Sequence, residues 1–117
     1  MAAIANLIID QGATFSTDVT VKDNDGNAFD LTGYTAGAAM AKGYQATQTR
    51  QIITTSVNSD PTTGIITLSL TADQTLQLDA PARYVYDVEI TRTSDSTITR
   101  VIEGIITVTP HVLHTPS

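Results

Sequence analysis

The sequence predicts an all-β protein, specifically an antiparallel, Ig-like β-sandwich of about seven strands with one short helical turn. Three observations predict it. Apolar and polar residues alternate with period two over several segments, turn-forming clusters recur between them, and no segment is long and periodic enough for the crossover helix of a parallel sheet. Composition agrees. Hydrophobic residues make up 41% of the 117 residues and charged ones only 15%, so uncharged groups supply much of the polar surface. Threonine alone is roughly one residue in six, and its branched Cβ suits a pleated, half-buried surface better than a helix.

Taken in chain order, the apolar run Leu7 to Ile9 ends at Asp10-Gln-Gly12 and reads as a strand and a turn. Phe15, Thr17, Val19 and Val21 then alternate with Ser16, Asp18, Thr20 and Lys22, a strand with one wet face. Asp23-Asn-Asp-Gly-Asn27 is a turn, followed by Phe29 to Tyr34. Thr35 to Ala41 is rich in alanine and compatible with helix, but Ala36, Ala38 and Met40 also fall on one strand face, and a strand is expected. Lys42 to Arg50 reads as a loop, and Gln51 to Val57 is β-branched. After the turn cluster Asn58 to Gly64, Ile66, Leu68 and Leu70 face one way and Thr67 and Ser69 the other.

Between Leu70 and Leu78, Thr71 with Gln74 three residues on forms a capping-box pattern, so one helical turn is expected to plug an end of the core. Asp79 to Ala82 stops it. The strongest strand follows, with Tyr84, Tyr86, Val88 and Ile90 on one face and Val85, Asp87, Glu89 and Thr91 on the other. Thr93 to Ser96 turns the chain back, and Ile98, Ile102, Ile106 and Val108 read as one face of a returning strand, interrupted by Arg100 and Gly104. The long hairpin thus runs from Arg83 to Pro110. Residues 1–117 are expected to form a single domain, with an N-terminal arm over 1–9 and a C-terminal tail over 110–117.

The formal net charge of −6 disfavours nucleic acid and anionic membrane surfaces as partners. With no cysteine there is neither a disulfide framework nor a thiolate nucleophile or ligand. The N-terminal apolar run is too short for a membrane span and lacks a basic start, so the chain reads as soluble and made in the cytosol.

No catalytic, cofactor or metal site is expected. Asp23 to Asn27 starts like a calcium loop, but its Gly26 comes two places early and Tyr34 stands where the bidentate Glu is needed. His111 and His114 lack a nearby acidic third ligand. Asp87 and Glu89 have the spacing of any solvated strand face. Tyr84 and Tyr86 share a face with Val88 and Ile90, which makes them core aromatics rather than contact residues, and Arg100 is expected in a structural salt bridge.

Phe29-Asp-Leu-Thr-Gly-Tyr-Thr35, Gly64-Ile-Ile-Thr-Leu-Ser-Leu70, Ala82 to Ile90 and Thr99 to Pro110 together carry a resemblance. In these segments the chain resembles virion structural proteins of tailed bacteriophages, and is similar to the N-terminal domain of phage baseplate upper proteins and to modules of cyanophage tail fibres. It departs from them where Gly37, Ala38 and Ala39 replace longer apolar residues. The resemblance implies a non-enzymatic virion component of the tail, baseplate or fibre-attachment apparatus, located in the virion, whose partners are other virion proteins and copies of itself. A capsid decoration protein is the alternative. A host-glycan-binding sandwich using Tyr34, Tyr44 or the loop from Lys42 to Arg50 is a third reading. Ile4, Leu7 and Ile8, with Val112 and Leu113, suit arms packed either on a neighbour or on the domain's own core.

Overall fold

The computed structural model describes residues 3–43 and 50–110. Eight strands form one mixed sheet curled into a half-barrel: β1 (Ala3–Ile4), β2 (Leu7–Asp10), β3 (Phe15–Thr20), β4 (Tyr34–Ala41), β5 (Gln51–Val57), β6 (Ile65–Leu70), β7 (Ala82–Arg92) and β8 (Ile98–Thr109). A 3-10 turn, Pro61–Thr63, precedes β6, and the helix α1 (Ala72–Leu76) follows it. The all-β expectation holds, and Thr35 to Ala41 is a strand.

The order across the sheet is β1-β8-β7-β4-β5-β6-β3, with β2 also on β8. Two features differ from a purely antiparallel arrangement of about seven strands. First, β1 and β2 run parallel to β8, in one continuous register from Ala3 opposite Ile102 to Asp10 opposite Thr109. Second, β5 divides its length between two neighbours: Gln51 to Ile53 pair with β4, and Thr54 to Val57 pair with β6. That split bends the sheet and brings the inner faces of its two halves together.

The core is the inner face of β2 to β8. Val19 on β3, Met40 on β4, Ile53 on β5, Ile66 and Leu68 on β6, Tyr86, Val88 and Ile90 on β7, and Ile106 and Val108 on β8 are all buried in one cluster with Ile9 and Leu31. Each buried aliphatic side chain contributes about 1.5–3 kcal/mol. Without cysteines, that burial and the strand ladders hold the fold.

The reading of Ile98, Arg100 and Ile102 as one face is overturned by a β-bulge. Val88 pairs with Ile102 but Glu89 pairs with Arg100, so Val101 is an extra residue. The bulge reverses the alternation. Val101 and Ile102 are both buried, whereas Ile98 and Arg100 are turned outward.

Gly104, the second interruption, has a steric reason. A Cβ there would lie 2.1 Å from the Ala5 carbonyl oxygen. The arm crosses β8 at this point. The Tyr86 hydroxyl donates to the same Ala5 oxygen at 2.6 Å, the Ala5 N–H donates to the Glu103 carbonyl, and the Asn6 side-chain oxygen accepts from the Ile105 N–H at 3.1 Å. Residues 3–10 are therefore built into this chain's own sheet. Ile9 is buried and Leu7 half-buried, while Ile4 and Ile8 face solvent.

Candidate functional site

The two ends of the half-barrel are finished differently. At one end α1 closes the core, as the sequence predicts. Thr71 accepts from the Gln74 N–H while the Gln74 side chain accepts from the Thr71 N–H, completing the capping box. The buried Thr75 hydroxyl accepts from the Gly12 N–H at 3.0 Å and lies 2.9 Å from the Ala13 carbonyl, to which it donates. Gln11 Nε2 donates to the Leu78 carbonyl at 2.8 Å. Lys42 pairs with Asp79 beside this plug, and the bond holds the Lys42 ammonium above its usual range.

At the other end the two edges of the sheet, β1 and β3, do not pair with one another. Between them lies a cleft of about 840 Å³, floored by Phe29, Tyr34, Ile90, Val101 and Ile102 and rimmed by Ile4, Asp18, Lys22 and Arg92. The Tyr34 ring packs edge-on against Phe29 with 5.4 Å between centroids, and Arg92 lies 5.8 Å above it while donating to its hydroxyl at 3.3 Å. Asp95, in the β7–β8 turn, accepts from the Thr97 N–H, and Asp30 accepts from the Thr32 N–H and hydroxyl. These bonds hold both carboxyls below their usual range.

On the outer face of β4, β7 and β8 lies a shallower trough of about 320 Å³, lined by Ala39, Arg50, Asp87, Glu89 and Arg100. Arg100 Nε is 3.5 Å from Asp87, and its terminal nitrogen 3.8 Å from Glu103. The salt bridge expected of Arg100 is present, on the outer face to which the bulge turns it. Arg100 is about half-exposed and both carboxylates more than a third, so each pair contributes little, about 0–1 kcal/mol.

The remaining candidates separate cleanly. Asp23 spends its carboxylate on the N–H groups of Asp25 and Asn27, and Lys22 bridges to Ala28, so this segment is a closed turn. Tyr84 and Tyr86 are core residues: the Asp79 N–H donates to the Tyr84 hydroxyl at 2.9 Å, and burial pushes the Tyr86 phenol up to about 12. Asp87 and Glu89 point outward together, Asp87 pairing with Arg100 and Glu89 standing opposite Arg100 in the ladder. Tyr44 and residues 44–49, and His111, His114, Val112 and Leu113, lie outside the described residues. Among the described residues no group of three His, Asp or Glu side chains could hold a metal, and no helix is long and apolar enough to cross a membrane.

Sequence reasoning missed the apolar character of the outer face, where Ile4, Ile8, Ile52, Ile98 and Ile105 are exposed. Two adjacent apolar residues, Val101 and Ile102, were the available sign that the alternation slips in β8. The class defined by the fold and these surfaces is a mostly β protein with one curled, mixed sheet, open at one end. Compared with known protein families and with curated proteins, the chain matches none.

Proposed function

We propose that this chain is a non-enzymatic structural component of a tailed-phage virion, belonging to the tail, baseplate or fibre-attachment apparatus and acting by protein–protein assembly. The observation that carries the reading is five isoleucines, from 41% to 77% exposed, among charged residues on the surface of a small acidic domain. Single exposed apolar residues are ordinary, but several large ones gathered on one small domain suit contact with other macromolecules. The segments that resemble phage proteins supply the context. Ala82 to Ile90 and Thr99 to Pro110 form the central β7–β8 hairpin, and Gly64 to Leu70 forms β6.

An Ig-like sandwich is the finer reading of the fold within this proposal. It is supported by β5, which pairs first with β4 and then with β6 and so divides the sheet into two facing halves.

The test is to raise an antibody against the chain and label purified virions from a producing culture. Label confined to the tail or baseplate at tens of copies supports the proposal. Hundreds of copies on the head would assign the decoration role instead, and particles free of the chain would refute both.

A further inference from the structure

The register places the exposed isoleucines on a single surface. Ile52 stands beside Ala39, Ala39 beside Asp87, Asp87 beside Glu103, and Glu103 beside Ile4, one row running straight across five strands. Ile105 lies opposite Val85, Ile8 opposite Thr107 and Ile98 opposite Thr91, on that same outer face. Every large hydrophobic residue that is exposed among the described residues is therefore on the outside of the β1/β2-β8-β7-β4-β5 layer. The outside of β3 and β6 provides the contrast. There Ser16 faces Ser69 and Asp18 faces Thr67, the polar pattern of a sheet face that stays wet.

Charge divides the same way. Three of the six cationic residues, Arg50, Arg83 and Arg100, and four of the twelve acids, Asp10, Asp87, Glu89 and Glu103, belong to this face. It carries one unit of the net charge of −6, and the rest of the molecule carries five. The remaining surface as a whole repels a second copy with five units of negative charge, whereas here arginine and carboxylate are interspersed and can face their opposites. All three cations are arginines, which are less strongly hydrated than lysines and suit an interface.

We propose that this face is where a second copy of the chain docks, sheet against sheet, about a two-fold axis. The proposal deepens the assembly reading above by naming the surface through which copies meet. The strands of this layer are 11 and 12 residues long at β7 and β8, 8 at β4 and shorter at its two edges, and at about 3.4 Å per residue and about 4.8 Å between strands they give roughly 700 Å² per partner, within the size range of a standard stable interface. Two-fold pairing makes one patch serve both partners. Ala39 lines a trough of about 320 Å³ in its middle, and at the neighbouring outward position Gly37, opposite Glu89, an added Cβ would touch nothing within 4 Å. That trough can receive side chains of the opposing sheet.

Sedimentation velocity on the full chain over a wide concentration range tests this, comparing the wild type with Ile105→Lys, Ile52→Lys and, as a control on the other half of the sheet, Ser16→Lys. All three positions are at the surface, and circular dichroism checks that each variant is folded. The expected result is a concentration-dependent wild-type dimer. Each isoleucine variant raises its dissociation constant at least tenfold, and Ser16→Lys leaves it unchanged. A wild type that stays monomeric at every concentration overturns the inference, as does a dimer indifferent to both isoleucine variants or lost in Ser16→Lys. A monomeric wild type still found in virions would leave the virion proposal standing and refute only this surface; a dimer absent from virions would do the reverse.

Discussion

The plugged end and the open end of the half-barrel are built from the same kind of strand, yet they are tied together differently: a helix spans the first, and only paired turns such as Thr93 on Gly33 and Arg92 on Tyr34 surround the second. At the plugged end, Thr75 and Gln11 knit α1 to the turn after β2 through buried and part-buried hydrogen bonds. At the open end, the sheet edges β1 and β3 stand apart over an 840 Å³ cleft, and the surrounding turns are held by exposed bonds at Asp30 and Asp95. The difference teaches that closure of a curled sheet is local: a five-residue helix suffices where its threonine reaches backbone groups of another element.

Gly104→Ala should break the comparison outright, because the arm of residues 3–10 runs from one end to the other and must lift off β8 to admit the methyl group. The expected loss is about 3 kcal/mol in urea unfolding, with new proteolysis near Ala5. Thr75→Val attacks the plug alone. It leaves the Gly12 N–H and the Ala13 carbonyl without a buried partner, and about 2 kcal/mol is expected to go. Val101→Ala attacks the open end, where the space created joins the cleft instead of forming a closed void. About 1 kcal/mol is the expected loss. If Val101→Ala cost more than Thr75→Val, the two ends would not differ as described.

The smallest effects are in pH. The carboxyls of Asp30 and Asp95 titrate below 3.8 in the folded chain, so their contribution is present above that value and lost as pH falls through the folded pKa. Acid should loosen the open end first, and amide exchange of Thr32 and Thr97 below pH 3.8 checks it. Base acts elsewhere. Tyr86 rises from 10.0 to about 12 on burial, so its contribution is whole below 10.0 and lost between there and about 12. The part of the phenolate absorbance that Tyr86→Phe removes should then appear together with unfolding.

Most strands and the plug were legible in the sequence, because period-two alternation and the Thr71–Gln74 capping box are local signals that burial only reinforces. The face of β8 before Ile102 was not. A bulge changes the phase of one strand against its partner, and the adjacent apolar pair Val101 and Ile102 hints at a slip without marking which residue goes unpaired. The parallel seat of β1 and β2 was equally hidden, since it depends on contacts such as Tyr86 with Ala5, 81 positions apart. Of the candidate surface, Arg100 and its carboxylates could be anticipated. The gathering of Ile4, Ile52, Ile98 and Ile105 onto one face could not, because it follows from pairing order and not from any one segment.

The parallel seat of residues 3–10 on β8 also determines how the molecule bears tension. Ala3 lies beside Ile102 and Asp10 beside Thr109, so a pull applied at Ala3 and Pro110 slides two neighbouring strands lengthwise. The rungs between them are loaded in shear and must yield together. A pull across the open ends of the β7–β8 hairpin, at Ala82 and Thr109, would instead peel its rungs one at a time. Single-molecule stretching should therefore record a higher rupture force along the first axis than along the second, which makes the chain a stiff link when tethered near its two ends.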